Sequence, residues 1–412
     1  MNSQPLKDIS KNISSGLTPL RSNEEFWSSP DVPWVKTEQL GIKNIYDANE
    51  KISEAALEKT SIKLNPINTL SIAMYGEGRT RGSVSILKSE MTTNQACCNI
   101  VVDEEKVDYE YVYYFLTTQY KELRNLSSGV RKNLNSNDIK NFEINVPEHL
   151  HTQKSIAIVL SNLDKKIELN NRINAQLEAM AKLVYDYWFV QFDFPDANGK
   201  PYKSSGGKMV YNEELKRDIP EGWKVNSLMD IASFTNGVAC LKYSPKGGED
   251  SYQVIKIREM GAGFTDSSDR VSKNIPDKVV VYNGDVLFSW SATLDVMIWA
   301  GGIGGLNQHI FKVTSDKYPR TFYYFEVLRY LQHFKMIADL RKTTMGHITQ
   351  DHLKQSRISI PSDVLAESLH VKLNPILNKI VCGSEENIKL AKLRDWLLPM
   401  LMNGQVRVEE PK

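Results

Sequence analysis

The sequence predicts a mixed α/β protein that contains the same unit twice, each unit being a globular part followed by a long amphipathic helix. The first observation is repetition, because Asn94 and Gln95 recur as Asn307 and Gln308, 213 residues further on. The second is a mixture of strand and helix patterns in both globular parts, and the third is a heptad pattern after each of them. A period this long excludes a solenoid, whose units span about 20–50 residues, and indicates duplication of a whole domain.

Two further segments repeat at nearly the same spacing. The helical segment 160–167 recurs as 373–380, and the aromatic segment 113–115 recurs as 323–325. The slightly different spacings indicate that small gaps separate the two copies. A chain with two similar halves is expected to contact something that itself has two halves.

Strand and helix patterns alternate within each globular part. In the first copy, residues 70–75 and 99–102 are rich in apolar and β-branched residues and predict strands, whereas 108–124 predicts a helix with an aromatic face. The corresponding segments of the second copy are 285–290, 309–313 and 319–340.

Each globular part is followed by apolar residues at alternating spacings of three and four, which predict the a/d seam of a coiled coil. The predicted helix-pairing residues are Leu160, Leu163, Ile167, Asn174 and Leu177 in the first copy and Leu373, Ile376, Ile380, Asn387 and Leu390 in the second. Asn174 and Asn387 occupy equivalent seam positions, where a buried Asn fixes register at a cost in stability. Matched seams favour pairing of the two helices, and the alternative is that each helix packs on its own globular part. Pro375 predicts that the second helix starts or kinks there.

These patterns divide the chain into five segments. Residues 1–150 and 219–362 are the two globular domains, and 151–192 and 363–412 are the two helices. Residues 193–218 are rich in Pro, Gly and Ser and predict a linker.

The composition is that of an ordinary soluble protein, with 41% hydrophobic and 25% charged residues. Because 51 Lys and Arg oppose 50 Asp and Glu, the chain lacks the net basic charge of a solitary nucleic-acid-binding protein. Local basic faces, or a partner that supplies charge, remain compatible with this balance.

Four cysteines, Cys97, Cys98, Cys240 and Cys382, show no metal-like spacing and are expected to be buried, reduced thiols. The polar N-terminus lacks the apolar core of a signal peptide, and no segment is long and apolar enough to cross a bilayer. We therefore expect a cytoplasmic protein with no membrane partner.

Catalytic motifs are missing from the sequence. It contains no phosphate-cradling GxxxxGK[ST] segment, no Gly-x-Ser-x-Gly elbow and no glycine-rich methyltransferase loop, and its histidines form no metal-binding pair. One alternative is a metal-dependent nuclease, since Asp196, Glu214 and Lys216 match a loose PD…ExK pattern. That interpretation is disfavoured because Asp196 lies in the predicted linker. We expect no catalytic residues and no metal site.

Basic and amide residues in predicted loops are better candidates for binding, and several recur in both copies. Arg side chains can contact phosphates or guanine edges, and Asn or Gln can contact adenine through paired amide hydrogen bonds. The alternatives are a solvated surface loop for the Arg residues and a structural turn or strand cap for the amides. The candidate DNA-binding residues are Lys36, Arg79, Arg81, Asn94, Gln95, Arg131, Lys132, Lys256, Arg258, Asn307, Gln308, Arg341 and Lys342.

Four segments together resemble one protein family. Residues 156–192, which end in Trp-Phe-Val-Gln-Phe, resemble the central conserved region of the specificity subunits of type I restriction–modification enzymes. Residues 390–406 resemble the C-terminal conserved region of that family, and residues 219–223 and 284–289 also recur in it. The resemblance covers essentially the whole chain.

The resemblance implies two target-recognition domains, each recognising one half of a split, asymmetric site in double-stranded DNA. The helices would pair antiparallel as a ruler; about 37 residues span roughly 55 Å, which suits half-sites one to two DNA turns apart. Two modification subunits would carry S-adenosylmethionine, and restriction subunits would add a motor and nuclease that use ATP and Mg²⁺, so that this chain needs no cofactor. The alternative from another class is a coiled-coil scaffold that binds protein partners.

Overall fold

The structure is a computed structural model that describes residues 2–76, 78, 80–126, 133–340 and 347–408. It confirms the predicted mixed α/β class and divides into two compact units. Unit 1 comprises Met1–Lys165 and Ala391–Lys412, and unit 2 comprises Lys166–Leu390. Both long helices, α5 (Leu150–Tyr185) and α10 (Asp363–Met402), contribute residues to each unit.

Unit 1 contains two sheets and a separate antiparallel pair. Its strands are β1 (Asn2–Pro5), β2 (Ser10–Ser15), β3 (Val32–Val35), β4 (Asn44–Ile45), β5 (Glu50–Ile52), β6 (Leu70–Ala73), β7 (Val84–Leu87), β8 (Thr92–Thr93), β9 (Cys97–Val102) and β10 (Glu143–Val146). Its short helices are α1 (Glu54–Lys59), α2 (Tyr109–Thr118), α3 (Tyr120–Asn125) and α4 (Ser136–Lys140). The larger sheet has the order β2-β9-β6-β7-β4 and the smaller one the order β5-β3-β8, while β1 pairs with β10. The single helix predicted over 108–124 is divided at Gln119 into α2 and α3.

Unit 2 repeats this topology with additions. Its strands are β11 (Met209–Asn212), β12 (Arg217–Pro220), β13 (Lys224–Ser227), β14 (Ser233–Asn236), β15 (Ser251–Ile255), β16 (Arg270–Ser272), β17 (Val280–Val281), β18 (Val286–Ser289), β19 (Asp295–Ile298), β20 (Gly304–Leu306), β21 (Ile310–Thr314) and β22 (Arg357–Ile360). Its other helices are α6 (Leu228–Ile231), α7 (Ile257–Ala262), α8 (Arg320–Leu340) and α9 (Gln350–Gln355). The sheets have the orders β14-β21-β18-β19 and β16-β15-β20-β17, and β13 pairs with β22.

The two units share a strand order, since β2-β9-β6-β7 matches β14-β21-β18-β19 and β5-β3-β8 matches β16-β15-β20, so the duplication detected in the sequence is a duplication of topology. The extra strands differ, because β4 extends the larger sheet of unit 1 and β17 extends the smaller sheet of unit 2. The smaller sheet of each unit contains one parallel strand pair, which is β3 with β8 in unit 1 and β15 with β20 in unit 2. The segment predicted as a linker is more ordered than expected. It contains β11 and the start of β12, which form a hairpin, and Phe194 stacks on Tyr202 and Trp223 at the core of unit 2.

Each unit has a core in which its larger sheet packs against residues of both long helices. In unit 1, Leu70 and Ile100 of the sheet share a core with Leu160 of α5 and Leu401 of α10. In unit 2, Phe288 and Phe322 share a core with residues that include Tyr185 of α5, and Leu373 and Leu377 of α10. Burial of these apolar side chains is the main driving force that holds the helices on the sheets.

The long helices also contact each other, and contacts within unit 2 show that they run antiparallel. Asn170 contacts Asn387, whereas Asn174, one turn further along α5, contacts Ile380, which precedes Asn387 on α10. Seam residues Leu160 and Leu373 are fully buried, and Leu163, Ile167, Leu177, Ile376, Ile380 and Leu390 are half-buried. Helix pairing and packing on the sheets, which the sequence posed as alternatives, therefore occur together.

Two details differ from the sequence prediction. The second long helix does not start at Pro375 but continues through it from Asp363. Proline has no N–H, so the Val371 carbonyl lacks its usual hydrogen bond within the helix. Pro375 and Val371 are both exposed, so water can bind this carbonyl instead. Cys382 is exposed, whereas Cys97, Cys98 and Cys240 are buried as expected. Within the described residues no helix has the length and apolarity to cross a membrane.

Candidate nucleic-acid interface

The parallel strand pair of each unit gathers the candidate residues that the sequence placed far apart. In unit 2, β15 and β20 are parallel with Ile255 opposite Leu306, so the residues that follow them lie at the same edge of the sheet. Lys256 follows β15 and Asn307 follows β20, and the Asn307 N–H donates to the Ile255 carbonyl over 3.1 Å. Chain direction thus decides that this Lys and this Asn are neighbours.

A cleft of about 370 Å³ opens at this edge of unit 2. Three of the predicted residues line it: Lys256, Asn307 and the exposed Gln308. Arg270 of β16 also lines it and was not identified from the sequence. The cleft therefore combines two cationic groups and two amide side chains with one carboxylate, that of Asp269. Cations and amides are the groups that contact phosphates and base edges.

Unit 1 has the same arrangement at the ends of β3 and β8. Val35 lies opposite Thr93, and the Asn94 N–H donates to the Val35 carbonyl over 2.9 Å, so Asn94 lies beside the start of the segment that carries Lys36. Gln95 is exposed and accepts a hydrogen bond from the Thr18 hydroxyl.

The lysine of each copy is held by an acidic residue on or next to the antiparallel neighbour strand. Lys36 forms ion pairs with Glu50 at 2.5 Å and with Glu38 at 2.9 Å, and Lys256 pairs with Asp269. Hydrogen bonds to Glu50 and then Glu38 raise the pKa of Lys36, and a hydrogen bond to Lys256 lowers the pKa of Asp269. Ion pairs therefore position both ammonium groups before any ligand arrives.

The two asparagines close the turns, whereas the two glutamine side chains make contacts at the exposed surface. The Asn94 Oδ1 accepts from the Ala96 N–H over 3.1 Å, and its carbonyl accepts from the Cys97 N–H, which closes a turn. Asn307 closes the equivalent turn through its carbonyl and the Ile310 N–H. Of each Asn-Gln pair, the Gln side chain is the one exposed to solvent.

Two glycines that the sequence analysis missed let one backbone segment pass close to the backbone of each turn. A Cβ on Gly16 would lie 2.2 Å from the Thr93 carbonyl oxygen, and a Cβ on Gly237 would lie 2.2 Å from the Asn307 carbonyl oxygen. Only glycine permits such a close backbone approach. The signal that would have identified them is their equivalent position directly after β2 and β14.

Arg21 is another residue of unit 1 that the sequence did not point to. Its guanidinium lies 3.7 Å from the ring centroid of Trp27 and 5.0 Å from that of Trp34, and it pairs with Glu50 at 2.6 Å. Arg21, Glu50 and Lys36 thus form one charged cluster beside the parallel strand edge. A stacked guanidinium is preorganised for phosphate or base contacts.

The remaining candidates are not gathered into these clefts. The exposed guanidinium of Arg258 bonds the buried carboxylate of Glu259 over 2.6 Å and the Ser267 carbonyl over 3.2 Å. Arg81 is half-buried, and its carbonyl accepts from Arg124. The predicted residues Arg79, Arg131, Lys132, Arg341 and Lys342 lie outside the described residues.

The acidic residues of the loose nuclease pattern have other partners. The Asp196 Oδ1 accepts from the N–H groups of Asn198 and Lys200 in a tight turn, and Glu214 pairs with Arg357 at 2.5 Å. Across the described part of the chain, no group of three or more His, Cys, Asp or Glu side chains is arranged to hold a metal ion.

Comparison with known proteins identifies the family. Residues 1–179 and 220–367 match the family model described as the type I restriction modification DNA specificity domain, once in each copy. The chain belongs to this family of type I restriction–modification specificity subunits. Because the matched segments cover well over half of the chain, the resemblance found in the sequence is confirmed.

Two relatives and one solved structure extend this result. The type I restriction enzyme MjaIX specificity subunit of Methanocaldococcus jannaschii is 28% identical over 420 residues, covering 98% of this chain and 93% of that protein. The HindI specificity subunit of Haemophilus influenzae is 23% identical, covering 97% and 98%. The crystal structure of the type I S subunit from M. genitalium shares the fold, with a TM-score of 0.56 at 14% identity and coverage of 100% and 96%.

The family assigns this chain a DNA-specificity function as a non-catalytic subunit of a type I restriction–modification system, which acts with DNA and partner subunits. This assignment is consistent with the lack of catalytic motifs in the sequence. It does not identify the residues that contact DNA, so the candidate residues remain predictions.

Proposed function

We propose that each α/β domain of this specificity subunit recognises one half of a split, asymmetric site in double-stranded DNA. The observation that carries the proposal is the repeated geometry at the parallel strand edge. In both copies a charged lysine, Lys36 or Lys256, lies beside an Asn-Gln turn that exposes its glutamine. Two equivalent surfaces with different neighbouring side chains suit two half-sites with different bases.

Within each surface we assign positioning to the cations and base discrimination to the glutamine. Lys36, Lys256, Arg21 and Arg270 would contact phosphates, which fix register without carrying sequence information. Gln95 and Gln308 have the donor and acceptor needed to bond the N6 and N7 atoms of adenine together. The other predicted residues, including those outside the described part, are proposed as further backbone or base contacts.

The proposed domain boundaries are those that the sequence predicted. Residues 1–150 and 219–362 are proposed as the two recognition domains, and 151–192 and 363–412 as the helical segments that space them. At 1.5 Å per residue, the 36 residues of α5 correspond to roughly 54 Å and the 40 residues of α10 to roughly 60 Å. Residues 193–218 connect the first helix to the second domain and include the β11 strand.

We further propose that the helices bind two modification subunits through equivalent exposed apolar residues. Leu183 on α5 is 66% exposed, and Trp396, 213 residues further on, is 59% exposed on α10. Met180 and Leu393 form a second exposed pair at the same spacing, and Ile158 and Val371 form a third. Apolar side chains that recur at equivalent exposed positions are expected where two copies of one partner bind.

The partner subunits would then catalyse the methylation and cleavage of DNA. Modification subunits would carry S-adenosylmethionine and methylate adenine N6, and restriction subunits, where present, would use ATP and Mg²⁺. This chain would select the site and bind no cofactor itself.

The test is a methylome measured in a host that lacks adenine methylation. Co-expression of this chain with its modification subunit is expected to produce N6-methyladenine in both halves of a split motif, and omission of this chain should abolish it. Replacing residues 1–150 by the same domain of another specificity subunit should change one half of the motif only. A change in both halves would contradict independent half-site recognition, and no methylation by a complex that assembles would favour the scaffold alternative.

A further inference from the structure

Unit 2 contains a second basic cleft, of about 260 Å³, outside the proposed recognition surface. The hairpin β11–β12 supplies Leu215 and Arg217, helix α8 supplies Arg329, Tyr330 and His333, and strand β22 supplies Arg357 and Ser359. Three arginines therefore meet in one small cavity. No sequence motif pointed to it, because two of its walls are separated from the third by more than 100 residues.

Two of the three arginines have acidic partners. Arg329 pairs with the buried Glu326 at 2.6 Å, and Arg357 pairs with the exposed Glu214 at 2.5 Å. Arg217 instead donates to the Val190 carbonyl over 2.8 Å, and among the described residues no acidic group forms an ion pair with it. The cleft consequently carries more positive than negative charge.

The environment of Arg217 supports this charge balance. Its guanidinium lies 4.5 Å from the ring centroid of Phe192, and the residue is half-buried. Burial, followed by the positive charge of Arg329, lowers the pKa of Arg217. A bound anion would relieve the repulsion between these two guanidinium groups.

Arg329, which lines the cleft, contains a buried donor without a partner among the described residues. Its Nε is buried, and it has no hydrogen-bond partner within the described part of the chain. Buried polar groups nearly always have a partner, so the unpaired Nε leaves part of the positive charge of this guanidinium uncompensated by the protein.

In the described part of the first copy, other residues replace those that form this cleft. The positions that correspond to Arg329, His333 and Arg357 are Gln119, Leu123 and Glu143. The described part of unit 1 also contains no counterpart of the β11–β12 hairpin. The cleft is therefore a feature of one copy, which separates it from the duplicated recognition surfaces.

We propose that this cleft binds a phosphate group, as a phosphate monoester or as a phosphodiester of nucleic acid. Guanidinium groups match the planar, paired hydrogen-bond geometry of phosphate oxygens, and their bonds to it are charge-assisted. The Ser359 hydroxyl, on a buried residue, is available as a further donor at the same wall. The proposal does not depend on half-site recognition by the other surfaces.

The test uses the full-length subunit and inorganic phosphate in calorimetric titration, with chloride at equal ionic strength as the reference. Arg217→Gln is expected to weaken phosphate binding about tenfold or more, since it removes one charge-assisted contact. Glu214→Gln is expected to strengthen binding, an effect that a folding defect cannot produce. Arg172→Gln, which alters an exposed arginine of α5 away from the cleft, should leave binding unchanged.

Equal responses to phosphate and chloride, or equal effects of Arg217→Gln and Arg172→Gln, would overturn the proposal. DNA titrations then distinguish the two sources of phosphate. If Arg217→Gln weakens binding of all DNA sequences equally and lowers the salt slope by about 1, the ligand is the DNA backbone. If DNA affinity is unchanged while phosphate binding is lost, the ligand is a free phosphate-bearing molecule.

Discussion

Asn170 of α5 donates a hydrogen bond to the Oδ1 of Asn387 on α10 over 2.9 Å, in the seam between the two long helices. The same amide group of Asn170 donates to Glu386 over 2.7 Å, and Asn387 in turn donates to Asn171 over 2.7 Å. The sequence placed Asn174 and Asn387 in equivalent positions of the two copies. Because the helices are antiparallel, equivalent residues do not face each other, and Asn387 meets Asn170 instead.

Asn174 therefore faces Gly383, the residue that occupies the position of Asn170 in the second copy. A Cβ on Gly383 would lie 2.7 Å from the Asn174 Oδ1. The missing side chain lets Asn174 donate to the Ile380 carbonyl over 3.2 Å and to the Ser384 hydroxyl over 3.1 Å. A glycine in the middle of a helix is thus explained by the partner helix.

Gly383→Ala tests this relationship by a double-mutant cycle. In a helix interior the change is ordinarily stabilising by about 1 kcal/mol, and we expect that gain in an Asn174→Ala background. With Asn174 present, the added methyl group displaces the amide from its two acceptors, so that the gain is lost. The measurement is the free energy of unfolding of all four variants, with an expected coupling of about 1 kcal/mol. Equal effects in the two backgrounds would contradict the proposed contact.

Asp164 is expected to be the main polar anchor of the long helices in unit 1. It accepts from Arg394 of α10 over 2.8 Å and from the Tyr114 hydroxyl of α2, and Lys43 lies 3.6 Å away. Burial lowers the pKa of Arg394, but its hydrogen bonds to Asp164 and Asp395 outweigh burial and raise it. The pKa of Arg394 is thus raised by its carboxylate partners, and Asp164 connects α5 to α10, to α2 and to Lys43, which precedes β4.

Asp164→Ala should destabilise the protein by about 3 kcal/mol, because it removes the partly buried carboxylate that Arg394 and Lys43 share. Asp395→Ala is the matched control, since Asp395 pairs with the same arginine but its side chain is 65% exposed. We expect a loss below about 1 kcal/mol for the control. Similar losses in thermal or denaturant unfolding for both variants would show that burial of Asp164 is unimportant.

Gln95→Ala and Gln308→Ala are expected to relax recognition at one base pair each, in opposite halves of the site. Loss of a paired amide contact costs about 1–3 kcal/mol of discrimination against the wrong base. The measurement is the methylated motif of each variant complex, and each variant serves as the control for the other. Relaxation of the same half by both variants would exclude the assignment of one glutamine to each half.

Trp396→Asp is expected to remove one of two bound modification subunits, because it places a charge on one of two equivalent apolar surfaces. Leu183→Asp should remove the other, and the double variant should bind none. Both residues are exposed in the subunit, so the changes should leave its unfolding temperature unchanged. Native mass spectrometry of the assembled complex gives the stoichiometry, and retention of both subunits by the double variant would locate the docking surface elsewhere.

Of the four thiols, we expect only Cys382 to react rapidly with a thiol reagent at pH 8. Burial raises the pKa of Cys97 and of Cys98 to about 12, and it also raises the pKa of Cys240, so their thiolates are suppressed. Labelling of the native chain should give one thiol, which Cys382→Ser removes, whereas unfolded chain should give all four. Rapid labelling of the Cys382→Ser variant would contradict the burial of the others.

The same raised pKa values predict a pH effect on stability. Thiols of the unfolded chain ionise near pH 9.0, whereas Cys97 and Cys98 remain protonated in the folded chain until about pH 12. The unfolded state therefore loses protons first, and stability should fall as pH rises from about 9 towards 12. Denaturant unfolding of the wild type and of Cys97→Ala, compared at pH 8 and pH 10.5, measures the contribution.

The sequence by itself determined the features that local pattern can carry. Repetition showed the duplication, the three-and-four spacing showed both long helices, and conserved-region segments such as 156–192 showed the family. These features can be recognised because helix periodicity and repeats are properties of the order of residues along the chain. The position of Asn387 in the seam was predictable for the same reason, but its partner was not, because the register of the two antiparallel helices depends on the packing of the whole fold.

Only the tertiary structure decided which distant residues meet. The parallel pairing of β15 with β20 brings Lys256 beside Asn307, and the packing of a hairpin on α8 brings Arg217 beside Arg329. Strand direction and sheet order depend on burying apolar surface over the whole unit. The identity of a single basic residue does not indicate which distant residues it will contact. Composition and spacing therefore predicted which kinds of residue are candidates for binding, whereas long-range packing determined which of those candidates lie together.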